Sequence, residues 1–361
     1  MKLLVVMHRN TTEQQLKKTL DTIEDLGYEG QPNPGVHRTV INVIGKVETD
    51  DAQRLEGLPG VMEVVLLTKP YKLADIKANP EGTTIIVGDI EIGGNRPTII
   101  AGPCAVESSE QIINTAKAVE DLGADILRGG AFKPRTSPYS FQGLGVEGLR
   151  LLEEARHQTG LPIISEALDT ESFPAVEAIV DIIQIGARNM QNYALLKRAG
   201  RSQKPVMLKR GMWASLTELL AAAEYIMSEG NEKVILCERG IRTHCNHTRY
   251  TLDLSSIPVL RTMTHLPLIV DPSHAAGDRD LVIPLARGGL AVGADGLMVE
   301  VHPHPEDAFV DGAQSLTLDM FSGLMDSIES GEILPRRMNM NQTEIDDSMT
   351  VETEAVHSMN E

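Results

Sequence analysis

The sequence predicts an α/β fold in which a (β/α)8 TIM barrel follows a small α+β domain, and three observations lead to this prediction. Eight short apolar runs rich in β-branched residues alternate with longer amphipathic patterns after residue 96. Eight such units over about 235 residues are typical of this barrel. The region before residue 70 also alternates strand-like and helical patterns, but it contains fewer of them. A stretch with two prolines and little apolar pattern separates the two regions.

The amino-terminal region, residues 1–70, shows a β-α-β-α-β order of patterns, which resembles a small ferredoxin-like sandwich. Residues 71–95 are predicted to form a linker and a hairpin with the sequence TIIVGDIEIGG. The elements expected before them are strands at KLLVVM (2–7), HRTVINVIG (37–45) and MEVVLL (62–67), and helices over 11–27 and 50–58.

The barrel is assigned to residues 96–335, because helical patterns lie between the apolar runs of this region. Helices are expected over 108–122, 145–159, 215–229, 279–292 and 316–330. The eight runs, in chain order, are TIIAG (98–102), DILRGG (125–130), PIISEA (162–167), DIIQIG (181–186), PVMLKRG (205–211), KVILCERG (233–240), PLIVDP (267–272) and GLMVEV (296–301).

The composition limits the partners and the compartment. The formal net charge is −18 over 361 residues, so we expect no nucleic acid partner, and an anionic ligand must be gathered by local basic clusters. Three cysteines, no basic leader and no apolar stretch long enough for a membrane span favour a reducing cytoplasm. The acidic end of the chain, 336–361, is predicted to be a disordered tail.

Polar residues follow every one of the eight runs, where a barrel of this kind carries its active site. A single Arg or Lys is usually a surface charge, but a mostly basic rim on an acidic chain favours an anion-binding pocket for phosphates or carboxylates. In chain order these residues are Cys104, Arg128, Lys133, Arg135, Glu166, Arg188, Lys209, Arg210, Glu238, Arg239, Asp271, His274, Glu300 and Asp311.

Four of these residues could hold a metal ion, namely Cys104, His274, Glu300 and Asp311. Barrel closure makes the first strand the neighbour of the eighth, so the four can meet. A mixed sulfur, nitrogen and oxygen set suits zinc, manganese, iron or cobalt better than calcium or magnesium. The alternatives are a packing role for Cys104, and a competing cluster at THCNH (243–247), whose spacing matches no zinc pattern.

Long motifs in a fixed order carry a resemblance to a known family. The motifs AGPCAVES, LRGGAFKPRTSPYSFQGLG, QIGARNMQN, LKRG, ILCERGIRT, VDPSHAAGDRD and VEVHPHPEDAFVDGAQS closely resemble those of the 3-deoxy-D-arabino-heptulosonate 7-phosphate (DAHP) synthases of the short, type I-beta branch. The region before residue 70 resembles the ferredoxin-like (ACT-like) regulatory extension of one branch of that family.

The resemblance implies a transferase that condenses phosphoenolpyruvate with D-erythrose 4-phosphate and releases phosphate, the first step of the shikimate route to chorismate and the aromatic amino acids. It implies that Arg128, Lys133 and Lys209 bind the phosphoenolpyruvate carboxylate. It further implies that Arg188 and Arg239 bind the phosphate of this substrate, that Arg135 and Thr136 bind the aldose phosphate, and that Glu166 orients water or the substrate phosphate.

The resemblance also places the metal on Cys104, His274, Glu300 and Asp311. The ion is expected to polarise the aldehyde oxygen as a Lewis acid. Lys133 is expected to transfer a proton to the new alkoxide, and a metal-bound water is the alternative donor. For His274 the competing interpretation is a residue that supports a ligand without being one.

For the amino-terminal domain the resemblance implies an effector site for tyrosine or phenylalanine between paired domains, and the family commonly forms homotetramers. The segment GQPNPGVHR (30–38) is expected to line that site, with Gln31 and Asn33 as polar contacts. Pro32 and Pro34 argue against regular strand pairing there. A domain that serves only as an assembly surface is the alternative.

Two rival functions remain open. A 3-deoxy-D-manno-octulosonate 8-phosphate synthase uses the same enol donor with a longer aldose phosphate, and the KPRTS segment with Arg135 and Thr136 favours the four-carbon acceptor. A catalytically inactive barrel that binds a partner, for example chorismate mutase, is disfavoured by the intact set of candidate metal ligands.

Overall fold

The computed structural model describes residues 3–35, 38–45, 47, 49–66, 69–135 and 137–331. The chain divides into two compact units, Met1–Lys72 and Leu73–Glu361. Thr136 and the predicted acidic tail, 336–361, lie outside the described residues. In the part of the chain that is described, no helix combines the length and the apolar character that a membrane crossing requires.

The amino-terminal unit is a four-stranded sheet in the order β2-β3-β1-β4. Alternate residues of the two central strands, such as Leu3, Val5 and Ile41, are buried in its core with Ile23 and Leu55 of the helices, as expected for a sheet that is covered on one face. The elements are β1 (Leu3–Met7), α1 (Glu13–Asp25), β2 (Glu29–Pro34), β3 (Thr39–Ile44), α2 (Thr49–Glu56) and β4 (Val61–Leu66).

Strand β2 corrects one expectation from the sequence. The sequence predicted no strand here, and Pro32 and Pro34 argued against regular pairing, yet Pro32 stands opposite Ile41 and Pro34 opposite Thr39 in an uninterrupted antiparallel register. β2 is an edge strand, and proline is tolerated at an edge because the missing N–H can face away from the partner strand.

The second unit is a closed barrel of eight parallel strands, β10-β11-β12-β13-β14-β7-β8-β9, which confirms the predicted fold class. Each of the eight apolar runs forms one strand. The elements of this unit are β5 (Ile85–Val87), β6 (Ile90–Ile92), β7 (Thr98–Gly102), α3 (Ser109–Asp121), β8 (Ile126–Arg128), α4 (Val146–Thr159), β9 (Ile163–Ala167), α5 (Phe173–Ile179), β10 (Ile182–Ile185), α6 (Tyr193–Gly200), β11 (Val206–Lys209), α7 (Leu216–Ser228), β12 (Val234–Glu238), α8 (Ser256–Met263), β13 (Leu268–Val270), α9 (Pro272–Ala276), α10 (Arg279–Ala291), β14 (Gly296–Glu300) and α11 (Leu318–Glu329).

The antiparallel pair β5-β6 covers the amino-terminal opening of the barrel. Ile85 and Ile92 of this pair belong to the same buried cluster as Ile126 and Ile182, the first residues of β8 and β10. The interior is therefore packed with apolar side chains at this end, and the space for a ligand lies at the opposite end.

Three aspartates anchor the amino-terminal end of the barrel. Asp125, Asp181 and Asp295 precede β8, β10 and β14, and each accepts a hydrogen bond from the backbone N–H of the preceding strand, at 2.7–2.8 Å. Each of them also pairs with an arginine, respectively Arg96, Arg156 and Arg261. These carboxylates satisfy backbone donors that strand pairing leaves free.

Candidate active site

A cavity of about 300 Å³ opens at the carboxyl-terminal end of the barrel strands. Seven Arg and Lys side chains and only two carboxylates line it, so the cavity is suited to anionic ligands although the chain as a whole is acidic. The predicted site residues that line it are Arg128, Lys133, Arg135, Glu166, Arg188, Lys209, Arg239, His274 and Asp311.

Depth separates the cations of the cavity into two groups. Arg128, Lys209 and Arg239 are 4–6% exposed, and Arg128 and Lys209 end strands β8 and β11 while Arg239 directly follows β12. Arg135 and Arg188, in contrast, are exposed at the entrance, in the segments after β8 and β10. Nε of Arg128 and Nη1 of Arg239 are buried and have no hydrogen-bond partner among the described residues. Buried donors without a partner are costly, so these two groups point to a missing anionic ligand.

Four predicted metal ligands converge beside the cavity. One donor atom each from Cys104, His274, Glu300 and Asp311 can be chosen such that all four lie within 4.8 Å of one another. Cys104 follows β7, Glu300 ends β14, and these two strands pair, so barrel closure brings the two ends of the barrel sequence together. The segment THCNH is exposed and joins no such cluster in the described part of the chain.

The protonation of the cluster suits a divalent cation. Burial opposes ionisation of Glu300, but the charges of His274, Arg128 and Lys133 lower the pKa of this carboxyl to about 2. Burial lowers the pKa of His274, although the charges of Asp271 and Glu300 oppose this shift, and an imidazole must be neutral to ligate a metal. Burial and the Glu300 charge raise the pKa of the Cys104 thiol. A bound cation stabilises the thiolate, so the sulfur, nitrogen and oxygen donors fit zinc, manganese, iron or cobalt.

Asp271 supports two site residues at once. Its Oδ1 accepts a hydrogen bond from the His274 backbone N–H, while its Oδ2 lies 2.7 Å from His274 Nδ1 and accepts a hydrogen bond from Lys209 Nζ. His274 Nε2 lies 3.3 Å from Glu300 Oε1, on the side of the ligand cluster. Because Nδ1 faces Asp271, Nε2 is the ring nitrogen on the side of the ligand cluster and the one that a metal could use.

Arg128 and Lys133 surround the peptide of Cys104. Arg128 donates to Glu300 Oε1 at 2.7 Å and to the Cys104 carbonyl at 3.3 Å. Lys133 Nζ donates to the same carbonyl and lies equally close, at 3.1 Å, to Cys104 Sγ. Gly102 permits this packing, because a Cβ there would lie 2.2 Å from the Arg128 carbonyl oxygen.

Glu166 lies on the other side of the cavity, where it is held by neighbours that the sequence did not indicate. Gln184 donates to Glu166 Oε2 at 3.1 Å. A Cβ at position 186 would lie 2.0 Å from Glu166 Oε1, so only the glycine present there leaves room for this carboxylate.

Five residues of the predicted rim do not line the cavity. Cys104, Glu300 and Asp271 belong to the ligand cluster or contact it, whereas Arg210 and Glu238 do neither, and the prediction is wrong for these two. Arg210 Nη1 donates to Glu238 and Asp253 at 2.8 and 2.9 Å, and burial raises the pKa of Glu238. Successive side chains of a strand point to opposite sides, so Arg210 and Glu238 turn away from the cavity while Lys209 and Arg239 face it.

Two further cavity residues, Arg249 and Tyr250, come from the long segment between β12 and α8. The guanidinium of Arg239 lies 4.3 Å from the centre of the Tyr250 ring, a cation–π contact that holds Arg239 in place. No strand-end pattern marks these residues in the sequence. Their positions depend on backbone hydrogen bonds from Arg249 and Tyr250 to Ala276 and Ala275.

The segment that contains KPRTS lines the cavity with Arg135, Ser137 and Ser140. Its predicted partner Thr136 lies outside the described residues. The regulatory candidates Gln31 and Asn33 are exposed on β2 of the other unit.

Comparisons with known proteins agree with this architecture. The profile of the DAHP synthetase I family matches residues 73–331, and that of the DAHP synthase ferredoxin-like domain matches residues 3–69. Phospho-2-dehydro-3-deoxyheptonate aldolase of Thermotoga maritima is 49% identical over 91% of this chain and 97% of its own length. A 2-dehydro-3-deoxyphosphooctonate aldolase of Syntrophotalea carbinolica is 36% identical, over 65% of this chain and 91% of its own length.

Solved structures give the same relationship. The crystal structure of the Thermotoga maritima DAHP synthase is 47% identical and superposes with a TM-score of 0.86 over 91% of this chain and 96% of that protein. A truncated form of the DAHP synthase of this organism covers 72% of this chain with a TM-score of 0.68. The chain thus belongs to the DAHP synthetase I family of enzymes and carries the ferredoxin-like domain of DAHP synthases.

Proposed function

We propose that this enzyme condenses phosphoenolpyruvate with D-erythrose 4-phosphate to give DAHP and inorganic phosphate, the first step of the shikimate route. The observation that carries the proposal is a cavity with an excess of cations beside a cluster of four candidate metal ligands, two of which line the cavity. Two phosphorylated substrates, one of them also a carboxylate, account for that many cations.

Five cations of the cavity are assigned to phosphoenolpyruvate. Arg128, Lys133 and Lys209 surround the deep part of the cavity and would hold its carboxylate, while Arg188 and the unpartnered Nη1 of Arg239 would hold its phosphate. Arg135, at the entrance, would bind the aldose phosphate, together with Thr136. With these contacts the enol carbon would lie between the bound phosphate and the proposed metal ligands.

A divalent ion held by Cys104, His274, Glu300 and Asp311 would supply Lewis-acid polarisation of the aldehyde oxygen. Lys133 Nζ lies 3.1 Å from Cys104 Sγ and lines the substrate cavity, so it can donate a proton to the alkoxide that forms when the enol carbon attacks the aldehyde. Glu166, fixed by Gln184, would orient the water that adds to the resulting cationic carbon before phosphate leaves. The identity of the ion, among zinc, manganese, iron and cobalt, stays a prediction.

The test is phosphate release from the two substrates before and after chelation, and after the metal is returned. We expect chelation to abolish turnover and Cys104→Ser to lower it by about 100-fold or more, because loss of a ligand should exceed the about 10–100-fold effect of losing a supporting residue. Cys245→Ser is the matched control, since Cys245 is exposed. Undiminished turnover of chelated wild type would contradict the proposal.

The alternative acceptor is a five-carbon aldose phosphate, which would give an octulosonate product. Relatives named 2-dehydro-3-deoxyphosphooctonate aldolase, 31–36% identical, support keeping this candidate in the test. We expect the four-carbon aldose to be preferred, because Arg135 stands in the KPRTS segment at the cavity entrance. A higher catalytic efficiency with the five-carbon aldose would reverse the assignment.

We further propose that the amino-terminal unit binds tyrosine or phenylalanine between paired domains and thereby inhibits the barrel. Gln31 and Asn33 stand opposite Asn42 and Val40, on the sheet face away from buried Ile41, so their side chains are available to an effector. Inhibition by the amino acid should weaken in Gln31→Ala and Asn33→Ala. The control is Glu24→Ala, at an exposed position of α1, which should be inhibited like wild type. Absence of inhibition of wild type by either amino acid would reject this part. A homotetramer and a cytoplasmic location stay predictions.

A further inference from the structure

A pair of side chains, Arg249 and Gln314, connects the two carboxylate donors of the metal cluster. Arg249 Nη1 donates to Gln314 Oε1 at 2.8 Å and to Asp311 Oδ1 at 3.2 Å. Gln314 Nε2 in turn donates to Glu300 Oε2 at 2.6 Å. The chain Asp311–Arg249–Gln314–Glu300 is called the carboxylate bridge below.

The carboxylate bridge occupies one oxygen of each carboxylate and leaves the other to the cluster. Asp311 Oδ2 lies 3.4 Å from Cys104 Sγ, whereas Oδ1 faces Arg249. Glu300 Oε1 lies 3.3 Å from His274 Nε2 and also accepts a hydrogen bond from Arg128 at 2.7 Å, whereas Oε2 faces Gln314. An oxygen that accepts one hydrogen bond keeps a second lone pair, so Oε1 can still donate to a metal. By holding the outer oxygen of each carboxylate, the bridge favours single-oxygen donation by both residues.

The residues of the carboxylate bridge are fixed by an unusual backbone angle, by burial and by a backbone hydrogen bond. Asp311 adopts φ 56°, the one left-handed non-glycine residue of the described chain, and Gln314 is 2% exposed. The backbone N–H of Arg249 donates to the carbonyl of Ala276, in the helix that carries His274. The bridge therefore ties together the three segments that bring His274, Glu300 and Asp311 to the cluster.

We propose that Arg249 and Gln314 are positioning residues that fix Glu300 and Asp311 as single-oxygen donors and so set the affinity and the coordination geometry of the divalent metal. The inference depends on one part of the proposed function, namely that Cys104, His274, Glu300 and Asp311 bind a metal ion. Gln314 satisfies the outer oxygen of buried Glu300, and Arg249 neutralises part of the charge that two neighbouring carboxylates bring together. Such outer contacts orient ligands and tune metal affinity.

The experiment measures Co²⁺ binding to the metal-stripped full chain, by competition with a chelator and by the visible absorption of the bound ion, which reports ligand number and geometry. Arg249→Met and Gln314→Leu are each expected to weaken Co²⁺ about 10–100-fold and to change the absorption bands. Arg249→Lys, which keeps one charge beside Asp311, should recover part of the affinity. The double variant should lose less than the product of the two single effects, because both act through one bridge.

Arg279→Met is the matched control. Arg279 donates to the carbonyl oxygens of Gly312 and Ala313, so it stabilises the same loop without contacting a donor side chain, and it should bind Co²⁺ like wild type. If Gln314→Leu does not fold, Arg249→Met, at a side chain 39% exposed, decides the question alone. Wild-type affinity and spectrum in the bridge variants, or equal losses in Arg279→Met, overturn the inference while the metal site stands. A wild type that binds no Co²⁺ overturns the metal site itself.

Discussion

The two ends of the barrel employ charged residues under different constraints. At the amino-terminal end, Asp125, Asp181 and Asp295 each accept a backbone N–H and each pair with an arginine. At the carboxyl-terminal end, Arg128 and Arg239 keep buried nitrogen atoms without a partner among the described residues. At the amino-terminal end, the charged side chains are paired with one another. At the carboxyl-terminal end, two buried cations have more hydrogen-bond donors than the described residues supply acceptors.

This difference separates stability from binding. A buried donor that lacks a partner destabilises the fold by about 1–3 kcal/mol. A ligand that supplies an acceptor removes this penalty, so such donors are expected at a binding site. The aspartates of the amino-terminal end have hydrogen-bond and ion-pair partners, and none of the three lines the cavity described above. Substitutions at one end are therefore expected to act on activity, and equivalent substitutions at the other end on the free energy of unfolding.

The largest expected effect concerns two lysines that both donate to a backbone carbonyl. Lys133 Nζ donates to Cys104 at the catalytic end, and Lys204 Nζ donates to Val180 at the opposite end. Lys133→Met should lower turnover by about 10²–10⁴-fold through loss of the proposed proton donor, while the free energy of unfolding should fall by about 1 kcal/mol, as for any one hydrogen bond to a carbonyl. Steady-state phosphate release and denaturant unfolding measure the two quantities.

Lys204→Met is the control for that comparison. It should leave turnover unchanged and lower the free energy of unfolding by about 1 kcal/mol, the usual net contribution of a hydrogen bond. Comparable turnover losses in Lys133→Met and Lys204→Met would contradict the assignment of activity to the carboxyl-terminal end of the barrel.

A smaller effect is expected from Asp295→Asn. The substitution removes the charge that pairs with Arg261 and weakens the hydrogen bond from the Leu268 backbone N–H. We expect the free energy of unfolding to fall by about 1.5–3 kcal/mol, as for hydrogen bonds to charged groups, with catalytic efficiency unchanged. Asp89→Asn, in an exposed turn, should change neither quantity, and a loss of activity in Asp295→Asn would contradict the division of roles.

The barrel and the metal cluster were predictable because both depend on regular geometry. Parallel strands buried on both faces read as nearly continuous apolar runs, and residues at or just after the carboxyl ends of such runs reach one end of the barrel, as Glu300 and Cys104 do. Strand alternation explains the errors at Arg210 and Glu238, because a residue at a strand end faces the cavity or the surrounding helices according to a register that the sequence does not reveal.

Residues outside the regular pattern were not predictable. β2 was missed because its prolines lower strand propensity, and only its edge position makes them acceptable. Gln184, Tyr250 and Gln314 contact the site through side-chain hydrogen bonds or ring stacking. These contacts arise between segments distant in sequence, so no local pattern announces them.

The smallest expected effect tests a satisfied carboxylate outside the cavity, at the start of α7. The N–H and hydroxyl of Ser215 both donate to Glu218 Oε2 at 2.8 Å and hold the pKa of Glu218 below its usual value. The folded-state pKa is thus below the unfolded one, so this contribution to stability is present at neutral pH and is lost as the pH falls through the folded-state pKa. Glu218→Gln keeps an acceptor but cannot titrate, so thermal unfolding of this variant should depend less on acid than that of wild type, with a stability difference at pH 7 below about 1 kcal/mol because the group is largely exposed. We expect phosphate release to be unchanged in Glu218→Gln and lowered in Lys133→Met. This outcome would show that a charged residue at this end of the barrel affects turnover only if it lines the cavity.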